Sequence, residues 1–251
     1  MVGSIHLVKP DIYPFDEVFQ KAFDKSDVIG FELDLDSVQV KSQSLIPKLG
    51  FYPQGGNLER NISADTYQLL KNRLDSLGLP AANFQRMEPW LVSLTVPVLQ
   101  LQRAGYSGQS GIDNHFYQMA KEAGKERMAL ETAAYQFGLF DELSSELQEK
   151  FLKYSLQEAK KNLQTVDEMV NAWKEGNARK LDEIMQGEMK EVSPELYQKI
   201  LVERNRNWVP QIEQLLESSK IPMIVVGAGH LVGSDSVVSM LKEKNYTIEQ
   251  L

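Results

Sequence analysis

The chain has 251 residues, 42% apolar and 25% charged, with a formal net charge of -8 at neutral pH; these values fit a globular protein with room for a substantial core. The acidity argues against nucleic acid and against electrostatic docking on anionic lipid, and no apolar run approaches the roughly 20 residues of a membrane-spanning helix. Cysteine is absent, which excludes disulfides, thiolate catalysis and cysteine-ligated metal sites without identifying a compartment.

Residues 1–8, MVGSIHLV, read as the end of a strand. A helix is expected at about 14–25, where Phe15, Val18, Phe19, Ala22 and Phe23 fall on one face. DVIGFELDL, 27–35, reads as a second strand, and strand, helix, strand in succession implies a parallel pair. The stretch 41–62 looks like loop, with Pro47, Pro53 and Gly55-Gly56. Helices are expected at 63–77, capped by Ser63, at 88–104 and at 113–123, and RMALET, 127–132, reads as a strand.

From 141 to about 217 the pattern is almost wholly helical, broken at Gly176-Asn177 and restarted by Ser193-Pro194-Glu195, with Pro210 expected to kink the last helix. IPMIVVGAGH, 221–230, is a buried strand running into a glycine-rich turn. Ser234 or Asp235 then caps a helix to about 244, and YTIEQL closes as a strand. The expected fold class is α/β: one domain over 1–251 with a mostly parallel central sheet flanked by helices, and a long all-helical insertion at about 141–217.

Two of the three histidines close a Gly-x-x-His: Gly3 with His6, and Gly227 with His230. With 16 glycines in the chain, chance produces this in only about 1% of comparable sequences. Each motif sits where a strand ends, and open parallel sheets bind ligands at the carboxyl ends of their strands. Glycine permits positive φ and close backbone approach, and histidine offers a metal a neutral imidazole. Glu32 and Glu131 end two other strands, so the same logic brings His6, Glu32, Glu131 and His230 to one rim. Two imidazoles and one or two carboxylates suit Zn, Mn, Co or Fe.

Plainer readings exist for each residue. A strand-end histidine can simply bond a neighbouring loop, and Glu32 or Glu131 can serve the start of a following helix. Asp113 reads as an ordinary N-cap for a helix opened by His115. Glu203-Arg204-Asn205 reads by default as a surface ion-pair segment of a helix packed through Ile200, Leu201, Trp208 and Ile212.

At these residues the chain resembles the TraB/GumN family, which includes the pheromone-shutdown proteins and the Tiki proteases. The resemblance spans nearly the whole chain: GSIH, LVKPDIYP at 7–14, FELD at 31–34, GID and HF at 111–116, LET at 130–132, ERN at 203–205 and VVGAGHLVG at 225–233. It implies an α/β fold shared with ChaN-like and erythromycin-esterase-like proteins, and an active site made of the two Gly-x-x-His motifs and a glutamate. Carried over, His6, Glu32 and His230 are the metal-site candidates, with a divalent ion (Mn, Co or Zn) as cofactor. Glu131, Asp113, Arg204 and Asn205 are secondary family positions to which the resemblance assigns no role. The His-Glu-x-x-His helix of zinc proteases is absent.

The expected function is a metal-dependent hydrolase acting on a peptide or protein, with Glu131 or Glu32 taking a proton from water. The rival expectations are a protein that sequesters a peptide or haem without turnover, and an idle remnant. Gly3 and His6 lie so near Met1 that residues upstream are expected to have been removed. That tilts the expected location toward the periplasm or the extracellular face. Oligomeric state is left open.

Overall fold

The computed structural model describes residues 1–158 and 162–251. Its sheet is built from β1 (Val2–Ser4), β2 (Val28–Phe31), β3 (Glu126–Ala129) and β4 (Pro222–Gly227). All three pairings are parallel and the order is β1-β4-β2-β3. β1 and β2 are therefore not neighbours, as their succession in the chain implied; the last strand lies between them. Each strand is also shorter than its apolar run, because the chain leaves the sheet right after Ser4, Phe31, Ala129 and Gly227. These departures place the motif residues in loops at the carboxyl rim.

β4 shows why an interior parallel strand reads as unbroken apolar sequence. Met223 and Val225 join a core with Val2, Ile29, Phe31 and Phe116. Ile224 and Val226 face the other way, onto Trp208, Ile212, Val237 and Leu241. Each fully buried aliphatic side chain of this kind contributes about 1.5–3 kcal/mol.

The chain divides into two compact units. Met1–Asp36, Tyr106–Thr132 and Val166–Leu251 form the one with the sheet; Ser37–Gly105 and Ala133–Thr165 form the other. The second unit is helical, with Leu70 and Leu74 of helix Ala64–Ser76, Val92 and Val96 of Pro89–Arg103, and Leu152 and Leu156 of Ser145–Glu158 in one core. A helical lobe thus exists, but its composition differs from the expected insertion at 141–217. Residues 166–217 belong with the sheet, and 37–105 supply much of the lobe. Positions 159–161 of that expected stretch lie outside the described residues.

Several local expectations hold. Ser63 caps its helix by accepting from Thr66 N–H, Gly176 adopts φ +65°, and Asn177 caps the helix Ala178–Val192. Others do not. The expected loop at 41–62 begins inside helix Leu35–Leu49, which buries none of its residues and so left no apolar stripe to read. Ser236, rather than Ser234 or Asp235, caps the helix Val237–Glu243. The final YTIEQL forms no strand; Tyr246 and Ile248 pack on the core around Trp208 instead, and the Gln250 amide donates to the Gly176 carbonyl. Among the described residues no helix is long and apolar enough to cross a membrane.

Candidate active site

The parallel register brings the ends of the strands to one rim. Ser4 of β1 pairs with Gly227 of β4, and Phe31 of β2 pairs with Val225. Just past β2 and β3 two further backbone bonds hold the departing segments together, with Leu130 N–H donating to the Phe31 carbonyl and Glu131 N–H to the Glu32 carbonyl. His6, His230, Glu32 and Glu131 all follow strand ends within a few positions. The motif glycines are there for close packing, not for positive φ, which neither adopts. A β-carbon on Gly3 would lie 3.1 Å from the Cα of Ala228. One on Gly227 would lie 3.0 Å from Glu32 Oε1, 3.5 Å from His230 Cδ2 and 3.7 Å from His6 Nε2. A single point therefore lies within 4 Å of both imidazoles and one carboxylate, and glycine keeps it open.

Each imidazole is held from behind. His6 Nδ1 lies 3.0 Å from Asp113 Oδ2. Asp113 is not the cap of its helix, as the sequence indicated; Gly111 takes that position, and the carboxylate turns to His6. Crowding of the His6 ring by protein opposes its charge. The Asp113 hydrogen bond and the Asp113 and Glu32 carboxylates outweigh that and hold its pKa up at about 9. With 55% of the side chain accessible, solvent offsets part of the crowding, which reinforces the upward direction.

His230 is the opposite case. It is buried against the Trp208 ring, centroids 4.3 Å apart, with Nδ1 2.6 Å from Asn205 Oδ1. The Asn205 amide nitrogen donates to the Asp235 carbonyl, which fixes the orientation of the amide. Asn205 Oδ1 can then only accept, so His230 carries its proton on Nδ1 and leaves the Nε2 lone pair free. Burial pushes the His230 pKa down to about 3 despite the nearby Glu32 charge.

Arg204 gathers the carboxylates. Its Nε lies 3.0 and 3.1 Å from the two oxygens of Glu131, Nη2 lies 2.5 Å from Glu32 Oε2, and Nη1 donates to the Ile200 carbonyl. Glu32 Oε1 accepts from Gly227 N–H at 2.6 Å and lies 4.0 Å from His230 Nε2. Burial would raise the Glu32 pKa, but the charges of His230, Arg204 and His6 and the Gly227 N–H together lower it to about 2. Arg204 and Asn205 are buried, not surface ion-pair residues. They lie just past a π-helical turn, Gln198–Val202, inside the helical run 194–216; such turns are frequent at functional sites. His115 does not join this group. Its ring stands among Tyr13, Phe15 and Phe116, and burial lowers its pKa.

Asn205→Ala is expected to cost about 1–3 kcal/mol, because it orphans the buried His230 Nδ1–H and the Asp235 carbonyl. Thermal unfolding checks the cost, and ring nitrogen shifts should show His230 losing its single tautomer.

Metal ligands of the histidine type usually donate their second ring N–H to a carboxylate or carbonyl. Asp113 and Asn205 do this for His6 and His230, which leaves His230 Nε2 4.0 Å from Glu32 Oε1 and His6 Nε2 beside Gly227. The donor types therefore fit a divalent cation. Among the described residues, no three histidine or acidic side chains are already drawn into a coordination shell, so binding would require side-chain closure.

A parallel α/β fold with paired, back-bonded imidazoles at the strand ends defines the class. The chain belongs to the TraB/PrgY/gumN family, whose model matches residues 1–250. It is similar to the uncharacterised protein YbaP of Escherichia coli (strain K12) and that of Shigella flexneri, 24% identical over 96% of this chain and 87% of each relative. It is more distantly similar to Metalloprotease TIKI2 of Danio rerio, 22% identical over 99% of this chain and 57% of that protein. No solved structure matches significantly.

Proposed function

We propose that the protein is a metal-dependent hydrolase of peptide bonds, with His6 Nε2, His230 Nε2 and Glu32 Oε1 as the ligands of a divalent ion. The observation that carries this reading is that Glu32 Oε1, His6 Nε2 and the His230 ring, by its Cδ2 edge, all approach one point beside Gly227, each with its orientation fixed from behind. The distant similarity to a protein named as a metalloprotease supports it. The ion would supply Lewis acidity for a scissile carbonyl and an acidified water.

Asp113 and Asn205 set the two ring orientations, and Arg204 holds Glu32 against the site. Both Glu131 oxygens are committed to Arg204, so we read Glu131 as the group that orients the guanidinium rather than as the proton acceptor. Glu32 is the carboxylate whose charge bears on both imidazoles, with Oε1 4.0 Å from His230 Nε2. Its depressed pKa makes it a weak base and a good ligand.

The ionisation states give metal binding a sign. At pH 7 His230 is neutral and Glu32 ionised, while His6 carries a proton that a metal must displace. Close to one proton should be released per ion, and affinity should rise up to about tenfold per pH unit until pH 9. Calorimetry in buffers of different ionisation enthalpy reads the proton; a pH-independent affinity would contradict the His6 assignment. Metal at one hundred times its dissociation constant should stabilise the fold by about 2.7 kcal/mol, roughly 5–10 °C in melting temperature.

The functional test is cleavage of a mixed peptide library by stripped protein reloaded with Mn²⁺, Co²⁺ or Zn²⁺. The reading expects cleavage that a chelator abolishes. Metal binding without cleavage under all three ions would overturn the hydrolase and leave a binding protein.

A further inference from the structure

A second concavity lies on the same unit, away from the histidine rim. It is an open groove of about 690 Å³ between residues 13–19 and the helix Ile112–Glu122. Its walls include the rings of Tyr13, Phe15, Phe19, His115 and Phe116 and the side chain of Met119. The Tyr13 hydroxyl is turned aside, donating to the Ser110 carbonyl at 2.7 Å. Among the described residues, the carboxylates in the lining are those of Asp16 and Glu122, both exposed, and no lysine or arginine lines the hollow. Burial lowers the His115 pKa, which disfavours the charged form of its ring.

Aromatic faces attract cations, and long basic side chains bury their stems on apolar surface while their charged heads seek carboxylates and water. Aromatic walls, rimmed by the amides of Gln20, Gln109, Asn114 and Gln118 and by the carboxylates of Asp16 and Glu122, suit that shape of ligand. We propose that this hollow binds the side chain of an arginine or lysine in a peptide. Asp113 and His115 stand two positions apart on one helix, about 200° around its axis. The first faces His6 and the second faces the hollow. The basic residue is therefore recognised away from the bond that is cut. Calling it substrate recognition rests on the hydrolase reading; the cation site itself does not.

The test is calorimetric titration of metal-stripped protein with a short blocked peptide carrying one arginine, against its citrulline counterpart. Tryptophan fluorescence is a second readout, since Trp173 stacks on Phe19 with centroids 5.4 Å apart. The arginine peptide should bind about tenfold tighter, and Asp16→Asn with Glu122→Gln should abolish most of that preference. Asparagine keeps the cap that Asp16 provides to Val18 N–H, so the doubly substituted protein should melt close to the parent. Equal binding of the two peptides, no binding at millimolar concentration, or a preference that survives both substitutions would overturn the proposal. A preserved preference in a protein that cleaves nothing would instead count against the hydrolase reading alone.

Discussion

Arg204→Met should lower the melting temperature by roughly 6–20 °C, the largest stability loss expected of any single substitution at the rim. Arg204 is the counter-charge for Glu32 and Glu131, whose side chains are 11% and 3% exposed. Removing one partner of a buried ionic cluster typically costs about 3–5 kcal/mol, because the remaining charges stay desolvated. For a chain of this size each kcal/mol corresponds to about 2–4 °C. The pH dependence also has a sign. In the parent the folded Glu32 pKa is lowered, so its contribution is present above about pH 4.5 and lost as the pH falls toward 2. In Arg204→Met burial should raise the orphaned Glu32 carboxylate above its unfolded value, so the deficit should shrink as the pH is lowered from 7 to 5. Adding Glu131→Gln should recover part of the loss. A parent-like melting temperature would mean that the carboxylates find other partners and that Arg204 is no clamp.

The second large effect separates the two glutamates. Glu32→Gln should abolish tight metal binding and reduce cleavage by at least about 10²-fold, since a neutral amide is a poor ligand. Glu131→Gln should keep the metal and lose about 1–3 kcal/mol of stability, because an amide cannot accept from Arg204 at both positions. Bound metal, melting temperature and cleavage should be measured on both proteins. If Glu131→Gln keeps its metal and its melting temperature but loses 10²–10⁴ in rate, Glu131 is the proton acceptor and Arg204 releases it during turnover.

The parts of the fold that were legible in the sequence are those whose signal is local. The apolar run at β4 and the Gly-x-x-His that ends it announce a strand and a turn, and Ser63 and Gly176 mark helix ends by their own chemistry. Strand order is not local: nothing in residues 1–35 says that β4, some two hundred residues later, will separate β1 from β2. The rim itself was readable, because parallel strands that lead within a few residues to His6, Glu32, Glu131 and His230 bring those residues to the same edge. The supports were harder. Asp113 looks like a cap from its neighbours alone, and only the approach of His6 shows its second use. Arg204 and Asn205 carried a signal that charge obscured. Arg204 is four residues from both Ile200 and Trp208, and Asn205 is four from both Leu201 and Val209, so both lie on the buried stripe of their helix. A polar pair on an apolar stripe calls for buried partners, and here those partners are two glutamates and a histidine. Helix Leu35–Leu49 was missed for the converse reason: it buries no residue and so has no stripe.

The central claim is that one divalent ion is held between the two Gly-x-x-His motifs. Its most direct test is elemental analysis of protein purified without a metal-affinity column and equilibrated with Mn²⁺, Co²⁺ or Zn²⁺. The parent should retain close to one equivalent of at least one of these ions per chain, and His6→Ala with His230→Ala should retain almost none while still folding. Equal metal content in parent and double variant, or none in either at saturating metal, would contradict it.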